Sequence, residues 1–129
     1  MFNRIKIDKA DKMFSDYIRF RDNWKCVRCG RVHLLFKNTL DNSHYFSRGK
    51  ESVRFDEENC DSLCKFPCHP VWEKEEREAY KAFKVKQLGQ KGFDALTLRA
   101  HTPGRRDRKM AYLYWKKRLE ELLNKEEVV

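Results

Sequence analysis

No window of this chain approaches the roughly 18–20 continuous apolar residues that cross a bilayer, so no membrane-spanning helix is expected. Glycine and proline are scarce, with five and three residues among 129. There is no Pro/Gly/Ser-rich linker, no internal repeat and no low-complexity tract. Nothing divides the chain, and its length suits one compact domain rather than two. The segment Met1-Phe2-Asn3-Arg4-Ile5-Lys6-Ile7-Asp8 is too charged for a signal peptide, which points to a cytoplasmic protein. The five cysteines are an odd number, and that argues against a disulfide framework.

Charge is plentiful and unbalanced. Charged residues make up 38% of the chain and the formal net charge is +9, so the expected partner is a polyanion, above all nucleic acid. Four cysteines fall into two close pairs, Cys26-Val27-Arg28-Cys29 and Cys64-Lys65-Phe66-Pro67-Cys68. In a reducing compartment such pairs are metal ligands more often than disulfides, and four thiolates can clamp one Zn²⁺ tetrahedrally with Zn–S about 2.3 Å. That clamp would close the intervening chain onto a small rigid scaffold. Cys68 is the expected fourth ligand, with His69 or Cys60 as alternatives because the second pair is spaced Cys-x₃-Cys. Cys60 otherwise reads as a small buried hydrophobe.

The periodicity of Met13, Phe14, Tyr17, Ile18 and Arg21 predicts a helix over 9–21. Cys26 to Arg31 reads as a zinc knuckle in which Gly30 permits the tight turn. Val32 to Phe46 is expected to form a hairpin with Asn38 in or near its turn. A further helix should start near Asp56 or Pro70, run to about Leu88 and stop at Gly89, with the acidic residues from Glu73 to Glu78 matching the positive helix end. A short helix over 93–98 should break at Thr102-Pro103-Gly104. The last helix should cover 107–125, with Tyr112, Trp115, Leu119, Leu122 and Leu123 on its packing side.

Cleaving a phosphodiester near neutral pH needs a base to activate water, a divalent cation to stabilise developing charge, and alignment of both with phosphorus. Histidine suits the first task. Asparagine and carboxylate oxygens suit Mg²⁺ or Mn²⁺. His44, Asn59 and His69 all lie on or beside the segment the cysteines enclose. Arg48 and Arg54 flank it, and Arg105, Arg106, Arg108 and Lys109 form the densest basic cluster, suited to contacting the DNA backbone.

The run Asn42 to His69 resembles the HNH (ββα-metal) endonuclease motif, in which a strand-borne His is the general base, an Asn orients it or helps bind metal, and a closing His ligates the metal. The resemblance carries these roles to His44, Asn59 and His69. It also matches Cys26, Cys29, Cys64 and Cys68 to the structural zinc site of the Cys₄ members. The runs Ser43-His44-Tyr45-Phe46-Ser47-Arg48 and Arg54-Phe55-Asp56…Asn59, with Leu88-Gly89…Phe93-Asp94-Ala95-Leu96, resemble the phage recombination nucleases of the NinG/Rap type. The likeness spans about 15–125 and is specific over 26–69.

It implies an α+β fold: one domain over 1–129, with a zinc-stapled ββα-metal core over 26–70, flanking N- and C-terminal helices and a helical extension over 71–129. The implied activity is metal-dependent hydrolysis of DNA, duplex or branched as in recombination, in the cytoplasm of a bacterial host. The implied cofactors are structural Zn²⁺ and catalytic Mg²⁺ or Mn²⁺. Many HNH enzymes carry a metal-binding Asp immediately before the base, where this chain has Ser43. The cation is then left to Asp41, Asn59 or His69. Asp41 shares a strand face with Ser43 and opposes Asn42. The alternative is a non-catalytic zinc module that binds nucleic acid. Paired strand cuts would need a homodimer or two visits, and the final helix could serve a second copy or the protein's own core.

Overall fold

The computed structural model describes residues 7–127, with side chains to 125. The charged segment through Lys6 therefore lies outside the described residues. Among them the fold is mixed α+β, with four helices and one two-stranded sheet: α1 (Lys9–Arg21), β1 (Leu40–His44), β2 (Cys60–Cys64), a single turn α2 (Cys68–Pro70), α3 (Arg77–Ala100) and α4 (Arg108–Glu127). No described helix is long and apolar enough to cross a membrane.

Helix α1 has the predicted bounds because both ends are capped. Asp8 accepts from the Asp11 amide while Asp11 accepts from the Asp8 amide, a reciprocal capping box. Phe14, Tyr17 and Ile18 are buried on one face. Helix α4 packs there, placing Trp115 with ring centroids 4.7 Å from Phe14 and 4.9 Å from Tyr17. Tyr112, Leu119 and Leu122 pack against the same cluster.

The strands β1 and β2 are antiparallel, with His44 opposite Cys60 and Leu40 opposite Cys64. This corrects the expected 32–46 hairpin. Val32 bridges back to Lys25, and β1 finds its partner only after the loop that follows His44. Asn38 does occupy a turn, at φ 57°, as does Phe36 at φ 59°. The outer edge of β2 is covered: the Ser62 amide donates to Asp22 Oδ2 at 2.9 Å, and its carbonyl accepts from the Val27 amide at 2.9 Å. No further strand pairs with the other edge of β1 among the described residues, so that edge can border a cleft.

The sheet separates two cores. Leu63, Tyr80, Trp72 and Phe93 pack on the cysteine side, and Phe14, Phe55, Cys60 and Trp115 on the α1 side. Cys60 is fully buried, and burial pushes its thiol pKa up. Two helix expectations need correction. Asp56 caps only a short 3₁₀ turn, Glu57–Asn59. The long helix starts at Arg77 rather than near Pro70, after a wide turn over Val71–Glu75, and it is interrupted as expected at Gly89, whose backbone at φ 77° is not helical. A residue with no side chain adopts that backbone readily, and α3 continues beyond it as a second helical stretch that contains the expected 93–98 helix and runs to Ala100.

Beneath β1, Lys84 and Asp61 form a fully buried ion pair at 3.0 Å, joined by Tyr80, whose hydroxyl donates to Ser43 Oγ at 3.0 Å. The Ser43 hydroxyl is thus enclosed and occupied on the α3 side of the sheet, away from solvent.

Candidate metal centre and adjoining cleft

The sulfurs of Cys26, Cys29, Cys64 and Cys68 lie within 4.8 Å of one another. Tetrahedral Zn²⁺ with Zn–S of about 2.3 Å separates its sulfurs by roughly 3.8 Å, so the four converge on a geometry a zinc ion fits. Local structure brings them there. Gly30 at φ 80° turns the first knuckle, its amide donating to the Cys26 carbonyl at 2.9 Å. The second pair closes at the end of β2 and in α2. Neither Cys60 nor His69 belongs to the cluster.

The Arg31 backbone N–H holds the Cys29 thiol down at about 7, whereas burial raises Cys68. Arg28 donates to Cys68 Sγ at 3.3 Å. His33 Nε2 lies 3.1 Å from Cys64 Sγ while its Nδ1 meets Thr39 Oγ1 at 2.8 Å. Its role against the ligand sulfur depends on a fold-back of 31 residues that spacing does not encode.

At the open edge of β1 lies a cleft of about 340 Å³ that brings His44 and His69 together, with Asn42, Arg48, Glu73 and Arg77 also on its walls. Alternation along β1 turns Asp41 and Ser43 to one sheet face and Asn42 and His44 to the other. Because the edge is free, both faces reach the cleft region.

His44 Nε2 donates to the Arg54 carbonyl at 2.9 Å. A carbonyl only accepts, so the neutral ring carries its proton on Nε2 and Nδ1 keeps the lone pair. Burial, then the charge of Arg48, pushes the His44 pKa down to about 4, which keeps the ring neutral at physiological pH. Arg54 itself is 5% exposed, and its guanidinium grips Asp11, with Nε to Oδ1 at 2.8 Å. It therefore positions the carbonyl that holds His44, and its side chain is buried away from any phosphate. Arg48 is different. It lines the cleft, its Nε has no hydrogen-bond partner, and Asp11 stands 3.8 Å away.

Asn59 is fully buried and does not line the cleft. Its Oδ1 accepts from the Phe46 amide at 2.8 Å, and its Nδ2 donates to the Phe46 and Val53 carbonyls at 2.9 and 3.2 Å. Every polar atom of the amide is committed to pinning the loop that follows His44.

His69 Nδ1 meets Asp41 Oδ2 at 2.8 Å, and Nε2 meets Glu73 Oε2 at 3.0 Å. With Nδ1–H donated to Asp41, Nε2 stands beside the Glu73 carboxylate. An imidazole nitrogen flanked by a carboxylate, with a second carboxylate orienting the ring, is a donor set a divalent cation can use. The sequence reading assigned Glu73 to helix-end matching. Its four-residue spacing from His69 was the available signal, since that interval brings side chains together on a helical turn. Arg77, whose guanidinium lies 4.0 Å over the Tyr45 ring, had none.

Of the remaining arginines, Arg108 pairs with Glu51 and with Asp8, and Arg106 donates to the Ser52 carbonyl at 3.0 Å. Arg105 and Lys109 are exposed. This cluster is distinct from the lining of the His44–His69 cleft.

No curated protein and no solved structure matches the chain. A family model does, over residues 3–125, and nearly the whole chain, cysteine cluster and cleft included, falls inside that match. The chain belongs to the family of the bacteriophage lambda NinG protein.

Proposed function

We propose that this protein is a metal-dependent DNA endonuclease of the HNH type, with His44 as general base. The observation that carries the reading is the fixed tautomer of His44. Its Nε2 proton is held by the Arg54 carbonyl, its ring is neutral, and it shares a cleft with His69. A neutral imidazole with a free Nδ1 can take a proton from water as that water attacks phosphorus. Arg48, whose side chain lines the cleft, would hold a non-bridging phosphate oxygen.

His69 Nε2 and Glu73 would hold a Mg²⁺ or Mn²⁺, and Asp41 would orient the His69 ring from behind. When bound, that cation supplies charge stabilisation to the phosphate and the leaving oxygen. The cysteine cluster would hold a structural Zn²⁺ that does no chemistry, because four protein ligands leave it no open position. Asn59 acts here by holding the loop, and Ser43, enclosed against Tyr80, takes no part in binding the cation.

The net charge of +9 favours DNA as substrate. Membership of a phage protein family favours DNA of a bacterial host cytoplasm, and the resemblance to recombination nucleases favours branched forms of it. The test uses zinc-loaded protein with labelled linear duplex and four-way junction DNA, without added divalent metal and with Mg²⁺ or Mn²⁺. Cutting should require added metal and be lost in His69→Ala and strongly reduced in Glu73→Ala. Tight, salt-sensitive binding with no cutting under any metal would make the protein a zinc-stabilised binding module instead.

A further inference from the structure

Five large apolar side chains stand exposed beside the cysteine cluster: Val32, Leu34, Leu35 and Phe36 in one short segment, and Phe66 from between the second cysteine pair, with exposures from 52% to 77%. Single exposed apolar residues are ordinary, but a contiguous group of this size marks a contact surface. The segment is braced. The Cys26 amide donates to the Arg31 carbonyl, the His33 amide donates to the Trp24 carbonyl, the His33 ring contacts Cys64, and the Lys65 amide donates to the Thr39 carbonyl at 2.9 Å. Phe36 leans its ring on Trp24, 5.2 Å between centroids, whereas Phe66 meets no other ring among the described residues.

A groove of about 440 Å³ runs between the segment and Phe66. Val32, Leu34 and Phe66 supply its apolar walls and Arg31, Lys37 and Lys65 its charges, and no carboxylate lines it. Arg31 and Lys37 form no ion pair among the described residues. The groove also adjoins the catalytic candidates, for Lys65 Nζ lies 4.0 Å from Asp41 Oδ1, and Asp41 is the partner of His69.

From this juxtaposition we infer that the groove between Val32–Leu34 and Phe66 is a binding site for unpaired nucleotides, with Phe66 stacking on a base and Arg31, Lys37 and Lys65 holding the flanking phosphates. Apolar faces interleaved with cations match a single strand, whose bases offer π-faces and whose backbone offers charge. Paired bases in a duplex keep those faces stacked on one another, so the groove selects unpaired segments. A strand lying over Lys65 would pass from this groove directly to the His44–His69 cleft. The inference rests on the nuclease reading only for the presence of nucleic acid, and it is tested without cutting.

The experiment measures fluorescence anisotropy of labelled oligo(dT) and of a blunt duplex with zinc-loaded protein and no added divalent metal. Phe66→Ala should weaken oligo(dT) binding about tenfold and leave duplex binding within twofold. Phe66→Trp should restore affinity, and its indole emission should be quenched on binding. Leu34→Ser and Lys37→Glu, on the opposite wall, should weaken oligo(dT) binding without touching the residue beside Pro67. Zinc content and melting temperature of each variant check the fold. Unchanged oligo(dT) affinity in folded Phe66→Ala and Leu34→Ser, or equal losses on both DNAs, would overturn the inference and leave an acidic peptide as the occupant to examine. Selective single-strand binding in a protein that never cuts would keep the inference and remove the nuclease reading.

Discussion

Replacing Asn59 separates a scaffold residue from a metal ligand. In Asn59→Ala three hydrogen bonds disappear, one from the Phe46 amide and two to the Phe46 and Val53 carbonyls. Val53 is fully buried, so water does not readily replace the amide there. Each bond contributes about 0.5–1.5 kcal/mol net, and a stranded buried group costs about 1–3 kcal/mol, so the loss should be on the order of 3 kcal/mol. For a domain of this length that lowers the melting temperature by roughly 10 °C.

Asn59→Asp is the sharper variant. It turns both donated bonds into a carboxylate facing two carbonyl oxygens, so it should destabilise at least as much as Ala. A carboxylate would be a better ligand for a hard cation, so a metal-binding Asn59 would tolerate or even gain from the change. Thermal melts of zinc-loaded parent, Asn59→Ala and Asn59→Asp, read beside Mn²⁺-dependent cutting, decide the matter. Melting within 2 °C of the parent combined with lost cutting in Ala and retained cutting in Asp would refute the scaffold account.

Three further outcomes follow from the same geometry. Chelation of zinc, or Cys26→Ser, should unfold the cysteine-side core, because structural zinc contributes about 10–16 kcal/mol in small zinc domains, comparable to a whole domain's stability; a melting temperature unmoved by chelation would contradict the site. His44 has a native pKa of about 4 against about 6.5 unfolded, so the unfolded chain binds the extra proton between those values. The contribution of His44 to stability therefore rises with pH from about 4 to 6.5, by no more than about 3 kcal/mol, and is flat above; His44→Gln should flatten that part of the melting-temperature profile, and an unaltered profile would count against the buried neutral ring. Lys84→Ala leaves Asp61 buried without its cation and should cost about 3–5 kcal/mol in urea titration, with Asp61→Asn added to it recovering part of the loss; a loss under 1 kcal/mol would show that the pair is dispensable.

Local signals were the legible ones. The 9–21 helix followed from apolar spacing, and the structure adds the Asp8 cap beside it. The four cysteines and the turn at Gly30 followed from thiol pairing and a residue without a side chain. Partnering across distance was not legible. The expected 32–46 hairpin gave way because β1 pairs with β2, where Leu40 and Leu63 join the cysteine-side core. The helix stop at Gly89 was legible, because a residue without a side chain suits the non-helical backbone found there, and the chain is helical again beyond it, where Phe93 and Leu96 are buried. His44 and His69 both line the cleft. Arg54 became a buried brace for its own carbonyl because Asp11, 43 positions earlier, waits inside the core. Glu73 was hidden in an acidic run whose bulk suits a helix terminus, and only the position of His69 distinguishes it.

The central claim is that His44 is the base of a phosphodiester hydrolysis. Single-turnover cleavage of labelled DNA with Mn²⁺ by zinc-loaded parent and His44→Ala tests it most directly, with DNA binding and melting temperature measured on the same samples. The account predicts a loss of at least about 100-fold in rate, the scale of a general base, with binding unchanged and the fold intact. Cleavage by His44→Ala at the parent rate would contradict it.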